Sequence, residues 1–186
     1  GGGTATITAK ANEKIKAAVR LRDSARARRE EGMFFLEGAR LCADASANVD
    51  IVRLFYTAKA AEKYCDEVSL LRRKAAESCE VSEDIAAKLS DTFSPQGIFC
   101  VCKTLDKKHY IDKIYSNAKI IALENIQDPG NLGTMIRTAE AAGVTGVLMS
   151  RDTVDLFNPK TVRATMSAIF RVPFMYTDDL ISEMYW

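Results

Sequence analysis

The sequence predicts an α/β protein of two domains, and three observations carry that prediction. Short apolar runs (33–36, 51–56, 98–103, 120–123, 146–149) alternate with longer stretches whose apolar residues recur at helical spacing. A polar, mixed stretch from Thr104 to Ser116 separates residues 1–106 from residues 107–186. Finally, Ile120 to Gly143, I-I-A-L-E-N-I-Q-D-P-G-N-L-G-T-M-I-R-T-A-E-A-A-G, reads as a strand, a turn and a capped helix, the unit that builds a parallel sheet.

Taken in order, the chain opens on Gly1-Gly2-Gly3, a flexible start. Residues 11–31 form one helical segment crowded with Lys14, Lys16, Arg20, Arg22, Arg26, Arg28 and Arg29, against Glu13, Asp23, Glu30 and Glu31. Such a run is either a solvated, charge-balanced face or a surface that tracks phosphates. Met33 to Leu36 is a strand leading through Glu37-Gly38 into a helix that carries Arg40. Ile51 to Tyr56 is the second strand, and a long helix runs from Ala58 to about Ala76. A short strand at Glu80-Val81 precedes a helix near Asp84–Leu89 with Ser82 as its N-cap. The D-T-F-S-P-Q-G turn (91–97) then feeds the strand Ile98–Lys103.

In the second half, Ile120–Leu123 is continuous enough to be buried on both faces. Asp128-Pro129-Gly130 supplies the turn, with Asn131 as helix N-cap and Gly143 as the C′ residue. Leu132, Met135, Ile136, Ala139 and Ala142 share one face. Arg137 lies roughly 140° from Leu132 at about 100° per residue, off that face, with Glu140 as its ordinary partner. A strand at Gly146–Met149, a short helix near Pro159–Ser167 and a strand at Val172–Met175 follow. An amide and a guanidinium are thereby placed near the C-terminal edge of a parallel sheet, where such sheets bind ligands.

Composition narrows the function classes. With 47% hydrophobic and 27% charged residues the chain is globular, and its net charge of +1 means that any nucleic-acid surface is a local patch. Cys42, Cys65, Cys79, Cys100 and Cys102 contain no C-x-x-C pair and His109 is the one histidine, a set that argues against zinc. Free cysteines and the lack of any membrane-length apolar stretch fit a cytoplasmic protein. No G-x-G-x-x-G or P-loop pattern supports a dinucleotide or nucleoside triphosphate.

N-I-Q-D-P-G-N-L-G-T-M-I-R-T-A-E-A-A-G resembles the first signature motif of the SpoU (TrmH-like) branch of the SPOUT RNA methyltransferases. D-L-F-N-P-K-T-V-R-A-T-M-S-A-I-F-R-V-P-F (Asp155 to Phe174) resembles the second. R-R-E-E-G-M-F-F-L-E-G-A-R-L and S-P-Q-G resemble parts of the N-terminal substrate-binding domain of the same family. The resemblance implies a ribosomal-protein-like RNA-binding domain followed by a SPOUT α/β-knot domain, working as a homodimer. The implied reaction is methyl transfer from S-adenosylmethionine to a ribose 2′-hydroxyl of RNA, ribosomal RNA ahead of transfer RNA.

Carried over position by position, the resemblance makes Asn131 and Arg137 the catalytic pair. It makes Lys160 and Arg163 contacts to RNA phosphate or to the dimer partner; in the first domain Arg20, from the basic run, and Arg28, Arg29 and Arg40 are the candidate RNA-binding residues. It places Thr177 at the first cofactor loop. Asn158 begins the second-motif helix with Pro159 at its first turn. Thr165 and Ser167 stand where the family usually has Ser and Gly, and Ser167 is expected to crowd a close backbone approach. The chain stops before a third motif, which in the family completes the cofactor pocket and threads the knot. The 186 residues alone are therefore expected to be unknotted, to bind cofactor poorly and to associate through an open sheet edge. The competing expectation is an RNA-binding fragment or paralogue without catalysis.

Overall fold

The computed structural model describes residues 6–9, 12–105 and 119–184. The domain boundary expected at 106, the opening glycines, His109 and most of the polar stretch lie outside them. The chain divides into two compact units, Gly1–Thr104 and Leu105–Trp186.

The first unit is a four-stranded mixed sheet in the order β1-β4-β2-β3, built from β1 (Met33–Glu37), β2 (Ile51–Tyr56), β3 (Glu77–Glu80) and β4 (Ile98–Lys103). β4 runs antiparallel to both neighbours, so β1, β2 and β3 all point the same way. Strand alternation sends Phe35, Phe55, Phe99 and Val101 to one face, where Ile15, Ala18, Leu21, Ile85 and Leu89 close over them. Phe34, Leu36, Leu54, Cys100 and Cys102 are buried too, by the same alternation on the opposite face. Burial pushes the Cys100 and Cys102 thiols well up, as suits inert packing residues.

The basic segment is not one helix. It breaks at Ser24 into α1 (Glu13–Asp23) and α2 (Ala25–Glu31), because the Ser24 hydroxyl accepts from the Ala27 N–H and restarts the helix. Its cations are largely spent on the fold. Arg28 is 5% exposed and donates to the Leu21 and Arg22 carbonyls at 2.8 and 3.0 Å, satisfying the end of α1. Arg22 does the same for Lys88 and Leu89. Lys14 and Arg53 both pair with Glu77, Arg20 with Glu31, and Arg26 with Glu30.

The helix expected over 58–76 likewise breaks, at Tyr64, into α4 (Ala58–Lys63) and α5 (Cys65–Lys74). Between β1 and β2 lies α3 (Ala39–Ser46), and α6 (Glu83–Leu89) is capped by Ser82 as expected, the hydroxyl accepting from Ile85 N–H. β3 begins three residues earlier than the sequence suggests and gives up Val81, which bridges to Ile7 instead.

The Lys14 hydrogen bond, with that from Arg53, holds the Glu77 carboxyl below its usual range. A depressed folded-state value means that this anchor of α1 is present above the ordinary carboxylate pKa and lost as pH falls through the lowered one. We expect the thermal midpoint to fall on the acid side, and to fall less steeply in Glu77→Gln. Identical acid limbs in the two melting series would contradict the assignment.

The second unit holds a parallel sheet in the order β5-β6-β7: β5 (Ile120–Leu123), β6 (Gly146–Ser150) and β7 (Phe174–Thr177). Among the described residues the α-helices that accompany it are α7 (Pro129–Ala141), α8 (Pro159–Ala164) and α9 (Leu180–Met184). β6 is buried at Val147, Leu148 and Met149, as befits a central strand. β5 is not buried on both faces: Ile120, 37% exposed, and Ala122 are open to solvent. Met135 and Ala142 also leave the core. With Ile121, Leu123, Thr138 and Val144 they border an open apolar groove of about 380 Å³.

The true buried face of α7 is Leu132, Gly133, Ile136 and Ala139. Gly133 sets its contact with α8, since a Cβ there would lie 2.4 Å from Ala164 Cβ and 2.7 Å from the Thr161 carbonyl oxygen. α8 ends at Ala164 rather than near Ser167. Met166 and Ser167 follow with φ of +48° and +72°, a conformation that favours glycine.

Candidate active site

The strand ends Leu123, Ser150 and Thr177 lie along one edge of the second sheet, and the loops leaving them are stitched together. Asn125, at φ +52°, donates its N–H to Ser150 Oγ at 2.8 Å. Ile126 N–H donates to Thr153 Oγ1 at 3.3 Å, and its carbonyl accepts from Val154 N–H at 2.7 Å. The Gln127 side-chain amide bridges Asn125 Oδ1 and the Asp152 carbonyl at 2.7 and 2.5 Å.

Tyr176 on β7 fastens the loop that follows β6. Its hydroxyl donates to the Val154 carbonyl at 2.6 Å and accepts from Leu156 N–H at 2.8 Å, and burial pushes its pKa far up. Tyr176→Phe leaves a buried N–H and a carbonyl without their partner and is expected to cost about 2 kcal/mol in chemical denaturation. An unchanged midpoint would show that water replaces the hydroxyl.

On this braced edge stands α7. Its N-cap is Asp128 rather than Asn131: Asp128 Oδ1 accepts from Asn131 N–H at 2.7 Å, and Pro129 occupies the first helical position. Asn131 is thus inside the first turn, with an exposed side chain. Gly143 keeps its expected place, at φ +75° just past the end of the helix.

Arg137 is exposed and has no ion-pair partner among the described residues. The partner expected for it, Glu140, is engaged by Arg171 through two hydrogen bonds of 2.6 and 2.9 Å. Asn131 and Arg137 are six positions apart, about 9 Å of rise and about 120° of turn. Helical side chains lean toward the N-terminus, so Arg137 leans back toward the turn that bears Asn131.

The other expected site residues fall in different settings. Lys160 is exposed in the first turn of α8, where Asn158 caps its N–H, and Arg163 is half-buried. Thr177 is 7% exposed; its hydroxyl accepts from Asp179 N–H at 3.2 Å and donates to the Asp179 carbonyl at 3.5 Å, so it shapes the turn after β7. In the first unit, Arg29 and Arg40 are exposed, Arg20 is held by Glu31, and Arg28 is a buried helix-end clamp. Sequence reasoning missed Asn125, Gln127, Ser150, Thr153 and Tyr176. N-I-Q directly ahead of the D-P-G turn was the one local sign of that network.

Residues 12–100 match the MRM3-like substrate binding domain, and residues 118–184 match the SpoU rRNA Methylase family. Residues 118–184 belong to the SpoU family. The chain is 38% identical over 109 residues to the 23S rRNA (guanosine(2553)-2'-O)-methyltransferase RlmP of Bacillus subtilis, covering 55% of the chain and 42% of that protein. It is 30% identical over 166 residues to the mitochondrial rRNA methyltransferase 3 of Homo sapiens, covering 86% of the chain and 37% of that protein. Its fold matches the crystal structure of an AdoMet-bound rRNA methyltransferase from Sinorhizobium meliloti with a TM-score of 0.82 at 28% identity, over 97% of this chain and 68% of that one. The matches thus cover less than half the length of these two curated relatives. Among the chain's described residues no helix is long and apolar enough to cross a membrane.

Proposed function

We propose that this chain is the substrate-binding and first catalytic portion of an S-adenosylmethionine-dependent RNA ribose 2′-O-methyltransferase that acts on ribosomal RNA. The carrying observation is Arg137: an exposed guanidinium without a carboxylate partner among the described residues, on a helix that rises from a braced parallel-sheet edge. A guanidinium stays protonated, so it is no general base. Its fork suits a bidentate hold on the phosphate beside the target ribose, and its charge stabilises the oxyanion that develops as the 2′-hydroxyl loses its proton. Water or that phosphate takes the proton. S-adenosylmethionine supplies the electrophilic methyl group.

Asn131, in the first turn, orients the ribose rather than Arg137, since about 120° of helix separates the two side-chain origins. Arg40 and Arg29 in the first unit and Lys160 in the second offer exposed cations to phosphates. Thr177 acts by shaping its loop. The working form is a homodimer in the cytoplasm.

The test compares calorimetric binding of S-adenosylmethionine by this chain with binding by the reading frame extended downstream. Binding only by the extended protein supports the reading that the cofactor pocket needs residues beyond these. Binding by neither favours an RNA-binding protein without catalysis.

A further inference from the structure

β1, β2 and β3 all end at the same edge of the first sheet, at Glu37, Tyr56 and Glu80. The 90–97 turn crosses that edge and is pinned on both sides. Glu37, 7% exposed, accepts from Ser90 Oγ at 2.9 Å and from Asp91 N–H at 2.7 Å. At the other end, Gln96 Oε1 accepts from Ala39 N–H at 2.7 Å, capping a helix whose own N-cap, Gly38, has no side chain to do so. Gly97, at φ +77°, lets the turn press on Thr57, where a Cβ would lie 2.6 Å from Oγ1.

Between these two clamps Phe93 is 109% exposed. A lone exposed apolar side chain needs no explanation, but this one has unusual neighbours. Three residues on, and so within about 11 Å along the chain, Gln96 borders a cleft of about 370 Å³ together with Thr57, Lys59, Lys63, Tyr64 and Glu83. Lys59 and Lys63 are exposed and bond to no carboxylate among the described residues, and the Lys63 ammonium lies 5.4 Å from the centre of the Tyr64 ring. Because Gln96 Oε1 is spent on the cap, its amide nitrogen is the end left for a ligand.

We propose that this turn and cleft form a subsite for unpaired nucleotides of RNA. Phe93 stacks on one base, the Gln96 amide nitrogen donates to an acceptor on a neighbouring base edge, and Lys59 and Lys63 take the phosphates. A duplex keeps its bases stacked on one another and offers none to Phe93, so the subsite selects single strands. This inference rests on the reading that the chain binds RNA.

The test measures fluorescence anisotropy of the 186-residue chain with a labelled single-stranded oligouridylate of about ten nucleotides and with a blunt RNA duplex of the same length. Phe93→Ala, which removes no packing, lowers single-strand affinity about tenfold or more and leaves duplex binding unchanged. Phe93→Trp keeps it. Gln96→Glu retains the capping oxygen and loses the donor, and it weakens binding without shifting the thermal midpoint. Single-strand binding by Phe93→Ala at wild-type strength overturns the subsite while leaving RNA binding in place. If the unaltered chain binds neither RNA, the reading that it binds RNA falls, and the subsite with it.

Discussion

Arg137→Ala is expected to lower the initial rate of methyl transfer to ribosomal RNA by about 10²–10³-fold, the usual cost of removing one group that stabilises a developing oxyanion. The assay uses the full reading frame that contains these residues. The fold is expected to survive, because Arg137 is exposed and the nearest carboxylate in sequence, Glu140, is already held by Arg171. Arg137→Lys keeps the charge and loses the bidentate fork, so it recovers only part of the rate. A rate within threefold of wild type in the alanine variant would remove Arg137 from the chemistry.

Gly133→Ala is the second large effect, and it acts on stability. The added methyl would sit 2.4 Å from Ala164 Cβ and 2.7 Å from the Thr161 carbonyl oxygen, so α7 and α8 must separate. Backbone, unlike the end of a long side chain, gives little, and a cost of about 3 kcal/mol is expected. Gly143→Ala is the control. Nothing lies within 4 Å of its would-be Cβ, and only the positive φ opposes it, for about 1 kcal/mol. Equal melting shifts in the two variants would show that the α7–α8 contact is looser than the structure has it. Because α7 carries Asn131 and Arg137, Gly133→Ala is also expected to lower activity beyond what lost protein explains.

What the sequence made legible was local. β2 and β4 were bounded correctly because Asp50 and Thr57, or Gly97 and Thr104, interrupt unmistakable apolar runs. Ser82 announced α6, and Gly143 the end of α7. The break at Ser24 was hidden by the basic run around it, although a serine hydroxyl able to cap was in view. Asp128 was passed over as N-cap for Asn131, even though Pro129 marks the first helical position. The break at Tyr64 has no glycine or proline to announce it.

The longer-range features were not legible in principle. Whether β5 is buried depends on which elements reach its faces, and its hydrophobicity is silent on that. The basic segment looked like an RNA surface because its partners lie far along the chain: Glu77 for Lys14, and the Lys88 and Leu89 carbonyls for Arg22. Arg28 was counted as a surface cation and is a buried clamp on the end of α1. At the candidate site, Arg137 was readable from the motif. That it has no carboxylate partner among the described residues was not, because its expected partner is claimed by Arg171, which lies 31 residues beyond Glu140.

The most direct test of the central claim is the chemical identity of the product. Ribosomal RNA incubated with the full-length protein and S-adenosylmethionine labelled in its methyl group is digested to nucleosides, and the labelled species is identified by mass spectrometry. The account predicts label in a single 2′-O-methylated nucleoside, on the ribose fragment, and its loss in Arg137→Ala. Label on a base, or a ribose methyl that persists in Arg137→Ala, would contradict it.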